Sequence, residues 1–497
     1  MLNHLKNSMN VTETENGDKA FVSTQSKVLD YFSRAGAMRN NANDSEDLFM
    51  MAYNEDPLLA TKALFFIRDI RQGIGERDVF RKSILWLSKR HPDVVAKNIK
   101  NIPEYGRWDD VFCLVGVNKA LDSLIYTITK KQIIDDINAI NENKAVSLIG
   151  KWLPSENTSS ATTRKLARKF IKGLDLTPRE YRKMLVMLRE KIAIIENNLR
   201  EKDYTFDYSK QPSKAMLKYR KAFIRNDRKR YEMFLDKVER GEVKLNTATL
   251  NPVDIVSSMY SGISFLQNER FGGCISPEMR KSLDVSWKAL PDYTNNENAL
   301  VVADGSGSMY WGGKPLPAHV AQSLAIYYAE RNKGKFANHF ITFSARPKMV
   351  EIPKDVDIVD KVEYCTKFHD ASNTDLRKTF DLILNTAVKY NVPQSEMPSR
   401  LYIISDMQFD VGCNYDSSTF EDAKKVFSKA GYELPQIVFW NVNGVYQTSP
   451  VTMNEHGVAL VSGYTSRIFN ILNQEDFSPY QMMLDILNND RYNNITV

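Results

Sequence analysis

Cysteine and histidine are scarce in this chain, and neither is arranged as a metal-binding or catalytic motif. The 497 residues include four cysteines and six histidines, which lack the paired spacing of zinc ligands or of a disulfide framework. The sequence also contains no His-Glu-x-x-His motif. We therefore expect reduced, structural cysteines and a cytoplasmic protein, because disulfides persist mainly in oxidising compartments.

Long apolar runs are absent as well. A membrane-spanning helix needs about 18 or more consecutive apolar residues, and no such run occurs in the sequence. The first eight residues, MLNHLKNS, lack the apolar core of a signal peptide. With 43% hydrophobic residues, the chain should bury the cores of two or three domains. We expect a monomer that makes no contact with a membrane.

The charge of the chain is unevenly distributed along its length. The formal net charge is +6, but residues 151–250 contain 25 Lys and Arg against 13 Asp and Glu, whereas residues 301–497 contain 18 against 22. Such a concentration of cations is typical of proteins that bind the phosphate backbone of a nucleic acid. The alternative is a set of solvated helices whose lysines have no anionic partner.

The first half of the chain is predicted to be helical after a polar start. We expect residues 1–24 to be poorly ordered in part, and residues 25–296 to form a helical domain. Helical spacing of apolar residues is clearest at 56–71, 77–90, 91–99 and from Trp108 onwards. Successive short amphipathic helices with tight turns are typical of stacked helix pairs, so we predict a HEAT-like α-helical repeat module.

Residues 297–497 alternate between short apolar strands and amphipathic helices, which predicts a doubly wound α/β domain. The predicted strands are 300–303, 336–343, 401–405, 437–441 and 457–461, with a short antiparallel edge strand at 349–352. The predicted helices are 318–331, 375–390, 419–430, 465–472 and a last one that begins at Tyr480. The fold class expected for the whole chain is therefore α plus α/β, in more than one domain.

Oxygen-bearing side chains follow two of these predicted strands. The strand at 300–303 runs directly into Asp304, Ser306 and Ser308, which alternate with glycines, and Asp406 ends another strand. Thr374 lies in the loop that opens the helix at 375–390. Open α/β sheets place their sites at the carboxyl ends of strands, and hard oxygen donors suit Mg²⁺, or Mn²⁺ or Ca²⁺, better than zinc. The five side chains therefore predict a divalent-metal site.

Two other interpretations of this loop explain less. Asp304 and Ser306 could simply cap a helix and form turns, but capping accounts for neither Thr374 nor Asp406. A hydrolase is disfavoured because Ser306 does not lie in a Gly-x-Ser-x-Gly motif and no base is placed beside it. The loop also lacks the Gly-Lys-Ser/Thr of a phosphate-binding P-loop. We expect a protein that is not an enzyme.

These motifs resemble two known families. The order Asp-x-Ser-x-Ser, loop Thr, strand-end Asp resembles the metal-ion-dependent adhesion site (MIDAS) of von Willebrand factor A domains. The helical half resembles the TROVE module of Ro autoantigens, telomerase-associated proteins and vault proteins, through residues 67–80 and 105–110. Residues 151–154 and 211–216 fit a related bacterial and phage family in which a TROVE-like part precedes a von Willebrand A domain.

The resemblance to TROVE proteins implies RNA binding by the helical half. In Ro-like proteins the helical repeats close into a ring whose cavity receives RNA ends, so a ring is one outcome for this chain. Tyr219 and Tyr231 could stack on bases or belong to the core. The candidate RNA contacts are Arg68, Arg71 and Arg77, then Lys165, Arg168, Lys169 and Lys172, and finally Lys214, Lys218, Lys221 and Arg225.

Taken together, these features predict a non-catalytic, Ro-like ribonucleoprotein component that binds small single-stranded or structured RNA. The metal site would bind an acidic side chain or a phosphate of a partner. One alternative is a metal-dependent protein-interaction adaptor that binds no RNA. A second is a metal-dependent hydrolase or nuclease, which two carboxylates without a positioned base make less suitable.

Overall fold

The computed structural model describes residues 9–192, 194–260, 275–295, 297–311, 313–368, 374–410, 419–445, 448–472 and 478–497. The chain forms two compact units. The first comprises Met1–Glu55 and Tyr208–Leu487, and the second comprises Asp56–Asp207 and Asn488–Val497. The domains predicted at 25–296 and 297–497 stay a prediction. Within the first unit, the N-terminal segment and the helices after Tyr208 pack with the α/β part of the chain.

The first unit is built around one large sheet and a small hairpin. The hairpin pairs β1 (Val11–Glu13) with β2 (Lys19–Phe21) in antiparallel register. The sheet has the order β5-β4-β3-β6-β7-β8, and every pairing in it is parallel except β4 with β5. Its strands are β3 (Ala299–Asp304), β4 (His339–Phe343), β5 (Met349–Glu351), β6 (Arg400–Ser405), β7 (Gln436–Asn441) and β8 (Val458–Ser462). The predicted strands and the antiparallel edge strand are confirmed.

The helices are numbered along the chain. Two lie in the N-terminal part of the first unit: α1 (Lys27–Arg34) and α2 (Ala42–Glu55). The second unit contains α3 (Pro57–Arg68), α4 (Asp78–Arg90), α5 (Pro92–Asn98), α6 (Ile102–Tyr105), α7 (Trp108–Phe112), α8 (Lys119–Asn141), α9 (Ile149–Trp152), α10 (Ala161–Gly173), α11 (Pro178–Ile192) and α12 (Ile195–Glu201). The first unit resumes with α13 (Ser213–Asn226), α14 (Arg228–Glu239), α15 (Pro252–Val256), α16 (Pro277–Lys288), α17 (Pro317–Arg331), α18 (Ile358–Thr366), α19 (Leu376–Tyr390), α20 (Thr419–Lys429), α21 (Ile468–Ile471) and α22 (Pro479–Leu487).

The sheet is apolar on both faces because helices cover both faces, as expected for parallel strands. One face packs against α19 and α20, which bury Phe380 and Phe427 on the strands. On the other face, α17 is buried at every residue from Pro317 to Ala329. The strands are apolar along nearly their whole length because they lie between two helical layers. Strands β3 and β6 end where this apolar run ends, and the candidate site lies at that edge.

The N-terminal segment, predicted to be poorly ordered in part, forms the β1–β2 hairpin over its described residues. The hairpin is anchored because Phe21 and Ser449 exchange two backbone hydrogen bonds of 2.8 Å. The following helix α1 packs on β8, and a Cβ at Gly36 would lie 2.7 Å from the Ser462 carbonyl oxygen. Over residues 9–24 several polar groups of the segment are hydrogen-bonded to the rest of the unit, whereas residues 1–8 lie outside the described residues.

The second unit is a series of helices joined by short connections. Asp56 caps α3 by accepting a hydrogen bond from the Leu59 N–H at 2.9 Å, and Pro57 occupies the first turn. The predicted helices at 56–71, 77–90 and 91–99 correspond to α3, α4 and α5. The HEAT-like repeat and the ring stay predictions. Among the described residues, every helix is too short or too polar to cross a bilayer.

Candidate metal centre

The candidate site lies where β3 and β6 end side by side. These strands are parallel neighbours, with Ala303 opposite Ile404. Asp304 is the last residue of β3, and Asp406 directly follows β6. Because both strands run in the same direction, their carboxyl ends bring the two aspartates to one edge of the sheet.

Hydrogen bonds connect the serines of the loop to both aspartates. The Ser306 backbone N–H donates to Asp304 Oδ1 at 2.8 Å, and the Ser306 and Ser308 hydroxyls are 3.1 Å apart. The Ser308 side chain in turn hydrogen-bonds to Asp406. The loop after β3 therefore folds back so that four of the predicted ligands form one connected group, which comprises Asp304, Ser306, Ser308 and Asp406.

Thr374 joins this group through the turn that follows β6. Its hydroxyl donates to the Gln408 carbonyl oxygen at 2.7 Å, and its own carbonyl oxygen accepts from the Asp410 N–H at 2.9 Å. The same turn holds Asp406, whose Oδ1 accepts from the Gln408 N–H at 3.2 Å. The structure thus brings together all five residues that the sequence predicts to be metal ligands.

Both aspartates are buried, and their ionised forms are disfavoured. Asp304 is 2% exposed and Asp406 is 1% exposed. Burial raises the pKa of Asp304, and the charge of Asp406 raises it further, whereas hydrogen bonds from Ser405 and Ser306 lower it. Burial likewise raises the pKa of Asp406. Two carboxylates in one buried site repel each other unless a proton or a cation neutralises them.

One carboxylate oxygen of Asp406 lacks a hydrogen-bond partner among the described residues. Asp406 Oδ2 is buried without a hydrogen bond to any part of the chain that the structure describes. Buried polar atoms are nearly always paired with protein, water or an ion. The donor set, three hydroxyls and two carboxylates, is of the type that hard divalent cations prefer. The residues present therefore fit Mg²⁺, Mn²⁺ or Ca²⁺.

The described residues contain no cluster of three or more His, Cys, Asp or Glu that could hold a metal. A site for zinc or copper in that part of the chain would need such soft or imidazole ligands. The candidate centre is instead hydroxyl-rich, with two carboxylates.

Sequence reasoning missed two residues that shape the centre. Ser405, the last residue of β6, donates from its hydroxyl to Asp304 Oδ2 at 2.6 Å and so links the two strand ends. Gln408 supplies the carbonyl oxygen that holds Thr374. A hydroxyl at the last position of an otherwise apolar strand was a signal for Ser405. The role of Gln408 depends on a backbone atom and left no signal in the sequence.

The first group of candidate RNA contacts lies in the second unit and is largely engaged in ion pairs. Arg68 is 1% exposed, and its guanidinium is 2.7 Å from Asp110. Arg71 and Arg77 are half-exposed and lie 3.5 Å and 3.0 Å from the carboxylates of Glu104 and Asp78. Arg68 is therefore part of the interior of this unit, with no surface that a nucleic acid could reach.

The second group lies on α10 in the same unit. Lys165, Arg168 and Lys172 are exposed. Lys169 is half-buried and donates to the Val115 carbonyl oxygen at 3.3 Å. This helix therefore presents a basic face in which one of the four predicted cations is already bonded within the chain.

The third group lies on α13 in the first unit, where Lys214, Lys218, Lys221 and Arg225 are all exposed. Lys214 pairs with Asp254 at 3.2 Å. The Lys218 ammonium lies 4.8 Å from the centre of the Tyr219 ring. We call these four cations and Tyr219 the α13 face.

Tyr231 differs from Tyr219 because it belongs to the core. It is 2% exposed, and its hydroxyl lies 2.6 Å from Ser282 Oγ. Of the two interpretations that the sequence left open for this ring, the structure supports the core residue.

Comparison with known proteins gives two family matches that together span most of the chain. Residues 298–489 match DUF7788, a domain of unknown function, and residues 14–134 and 174–300 match DUF2828, another domain of unknown function. Uncharacterized protein L728 of Acanthamoeba polyphaga mimivirus is 30% identical over 516 residues, which cover 96% of this chain and 87% of that protein.

One solved structure aligns with nearly the whole of this chain, but the two backbones superpose poorly. The Ro (RSR) protein of Deinococcus radiodurans aligns over 93% of this chain and 99% of its own, with 9% identity and a TM-score of 0.35. A TM-score this low does not establish a common fold.

Proposed function

We propose a function from the candidate site of this chain, which belongs to the same family as the mimivirus protein L728 and whose own residues match DUF2828 and then DUF7788. The protein is a non-catalytic binding protein that holds a divalent cation at the end of the sheet and RNA on its basic helices. The observation that carries the cation site is the buried Asp406 Oδ2, which has no hydrogen-bond partner among the described residues although the Asp406 charge raises the pKa of a second buried carboxyl, Asp304.

The ligand set would be that of a von Willebrand A adhesion site. Ser306, Ser308 and Thr374 would contribute hydroxyl oxygens, and Asp304 and Asp406 would act directly or through water. A bound Mg²⁺ would supply positive charge that an acidic side chain or a phosphate of a partner can complete, since Mg²⁺ prefers six oxygen ligands. Ser405 would position Asp304, to which it is hydrogen-bonded.

We also propose that the protein is not an enzyme. Among the described residues, the side chains that hydrogen-bond to the two aspartates are the serines 306, 308 and 405. None of these is a group that accepts a proton readily near neutral pH. The arrangement therefore suits gripping a ligand better than activating a water.

RNA binding is proposed from the α13 face. Four cations on one exposed helix face repel one another, and an anionic backbone would relieve that repulsion. Tyr219 lies among them and offers a ring on which a base can stack. The resemblance of the helical half to TROVE modules in sequence adds to this proposal. The competing function is an adaptor whose metal site binds an acidic protein and whose basic helices bind no RNA.

Calorimetric titration with Mg²⁺ tests the cation site directly. We expect one ion to bind the wild-type protein, and Asp406→Ala or Ser306→Ala to weaken binding by at least about 10- to 100-fold, because even ligand-supporting groups contribute that much. The matched control is Asp485→Ala, which removes an exposed aspartate on α22. Circular dichroism should show that the variants remain folded.

An unchanged Mg²⁺ affinity in Asp406→Ala would contradict the site. Incubating labelled RNA with the protein and Mg²⁺ tests the non-catalytic part. Cleavage that disappears in Asp304→Ala would mean that the protein is a nuclease.

A further inference from the structure

Two segments of the second unit meet at the ring of Trp152, a half-exposed residue at the end of α9. The Arg107 guanidinium lies over this ring, 5.0 Å from its centre, and the Lys151 ammonium lies 5.9 Å from the same centre. Attraction between a cation and the face of an indole ring positions the cation without using its N–H groups. We call Arg107, Lys151 and Trp152 the indole site.

The Arg107 guanidinium keeps its N–H groups available. Its backbone N–H donates to Asp110 Oδ2 at 3.0 Å, but its side chain forms no hydrogen bond or ion pair with any residue that the structure describes. Other arginines engage the neighbouring carboxylates. Asp109 lies 2.6 Å from Arg81, and Asp110 lies 2.7 Å from both Arg68 and Arg81. Since a guanidinium carries five N–H donors, Arg107 can bind an acceptor from outside the chain.

The positive charge at the indole site has no counter-ion within the described part of the chain. Lys151 is half-exposed and, like Arg107, pairs with no described carboxylate. Burial lowers the pKa of Arg107, and the charge of Arg68 lowers it further, whereas the two nearby carboxylates raise it. The charged guanidinium is thus placed where its charge is disfavoured. An anion beside the ring would offset this cost.

The segment that carries the indole ring is held firmly by Arg189 of α11. Its Nε donates to the Gly150 carbonyl oxygen at 2.9 Å, and its Nη2 donates to the Leu153 carbonyl oxygen at 2.7 Å. Its Nη1 donates to Ser155 Oγ at 2.7 Å. Arg189 therefore spends its donors inside the chain, whereas Arg107 does not. The ring and the Arg107 backbone are both fixed before any ligand arrives, which lowers the entropy lost on binding.

We propose that the indole site binds a phosphate group, with the Arg107 guanidinium donating two parallel hydrogen bonds to its oxygens and Lys151 supplying a second positive charge. A guanidinium fits carboxylates and phosphates equally in geometry. A phosphate monoester, however, carries about −1.5 to −2 charges at pH 7, which two cations without counter-ions match better than one carboxylate does. The phosphate belongs either to a free compound or to the end of an RNA strand. The inference rests neither on the cation centre nor on the α13 face.

Calorimetric titration with inorganic phosphate tests the site. Arg107→Met should weaken binding by about 10- to 100-fold, the effect expected of hydrogen bonds to a charged group. Arg107→Lys keeps the charge but loses the planar pair of donors, so it should weaken binding by about tenfold. The matched control is Arg179→Met, which removes an exposed arginine of α11 in the same unit and should leave the affinity unchanged. Circular dichroism checks that the variants are folded.

Protein fluorescence places the bound phosphate. We expect phosphate to change the emission of the wild-type protein, because a ligand on Arg107 alters the surroundings of the Trp152 ring, and we expect this change to be absent in Trp152→Phe. Two further ligands identify the source of the phosphate. Stronger binding of a short RNA with a 5′-phosphate than of a nucleoside monophosphate indicates an RNA end, and equal binding indicates a free compound.

Four results would overturn the inference. They are no binding of any phosphate compound to the wild-type protein, acetate binding as tightly as inorganic phosphate, equal losses in Arg107→Met and Arg179→Met, and wild-type affinity in Arg107→Lys. The last result would mean that only charge matters and that the two parallel hydrogen bonds do not form. Mg²⁺ titration of Arg107→Met should match the wild type, so failure of the indole site is distinguishable from failure of the cation centre.

Discussion

Asp406 combines three properties that rarely coexist in a residue kept only for stability. It is buried, its charge raises the pKa of the buried Asp304, and one of its oxygens has no hydrogen-bond partner among the described residues. Each property costs folding free energy in the absence of a cation. Residues of this kind are typical of functional sites, where local stability is given up for binding.

The pH dependence of stability follows from the raised pKa values. Because burial raises the pKa of both aspartates above the ordinary 3.8, the folded protein holds these protons more tightly than the unfolded chain does. Stability of the metal-free protein should therefore fall as the pH rises above about 4 through the raised values. Denaturant titration in EDTA, repeated across this pH range, measures the effect.

Asp406→Asn removes one of the two buried charges. At about pH 7 without metal we expect it to raise the free energy of unfolding, since burial disfavours the ionised form of this carboxyl. The same variant should lose Mg²⁺ binding, so stability and function change in opposite directions. Asp485→Asn is the control. If the metal-free Asp406→Asn protein is less stable than the metal-free wild type, the proposed unfavourable interaction between the two buried carboxylates is contradicted.

At the scale of elements, three helices of the second unit are tied by one buried ion-pair network. Asp110 of α7 accepts from Arg68 of α3 at 2.8 Å and from Arg81 of α4 at 2.7 Å. Burial opposes the charge of Arg81, but Asp110 and Asp109 raise its pKa. Asp110 also accepts from the Arg107 N–H at 3.0 Å. All these bonds fix how α3, α4 and α7 meet.

This network predicts different outcomes for neighbouring arginines. Arg68→Met should lower the free energy of unfolding by about 3–5 kcal/mol, because it leaves part of a buried carboxylate without its partner. Arg71→Met, at a half-exposed position, should change it by less than about 0.5 kcal/mol. Denaturant unfolding of both variants checks this. Equal effects would mean that Arg68 contributes no more to stability than a surface residue.

Elements with a strong apolar pattern could be predicted from the sequence, whereas contacts between distant segments could not. The predicted strand at 401–405 is observed as β6 at Arg400–Ser405. A short run of five buried positions is typical of a strand in the interior of a parallel sheet. The β1–β2 hairpin was missed because its stability comes from Phe409 and Ser449, far along the chain. For the same reason the sequence predicted the five clustered oxygen donors, but not the Gln408 carbonyl oxygen that accepts from Thr374.

At the scale of the whole molecule, charge separates along the chain. Residues 151–250 contain 25 Lys and Arg against 13 Asp and Glu, and residues 301–497 contain 18 against 22. The basic stretch includes exposed cations of α10 and α13, and the acidic stretch includes the candidate metal centre. An RNA and a cation would thus bind at regions of opposite charge.

RNA binding by the α13 face is tested by reversing two lysine charges on this helix and, as a control, two lysine charges on another helix. Lys218→Glu with Lys221→Glu should weaken binding of a mixed-sequence single-stranded RNA by tenfold or more, by about the same factor for every sequence. The slope of log affinity against log salt should fall by about 1.4, for two lost phosphate contacts. Filter binding across a salt series measures both.

The control is Lys425→Glu with Lys429→Glu, which changes the net charge equally at two exposed positions of α20. Equal losses in the two double variants would indicate a general charge effect with no specific RNA face. If the wild-type protein binds no RNA at low salt, the adaptor function replaces RNA binding.

The bond between Thr14 and Phe409 joins residues 395 positions apart. A ribosome adds roughly 5–20 residues per second, so about 20–80 s pass between synthesis of the two. During that time the β1–β2 hairpin is a two-stranded ribbon without its partner, a structure that is marginally stable alone. The contact between the N-terminal hairpin and the turn after β6 therefore forms late, only after Phe409 has been synthesised, so the candidate centre cannot acquire its final surroundings while most of the chain is still being made.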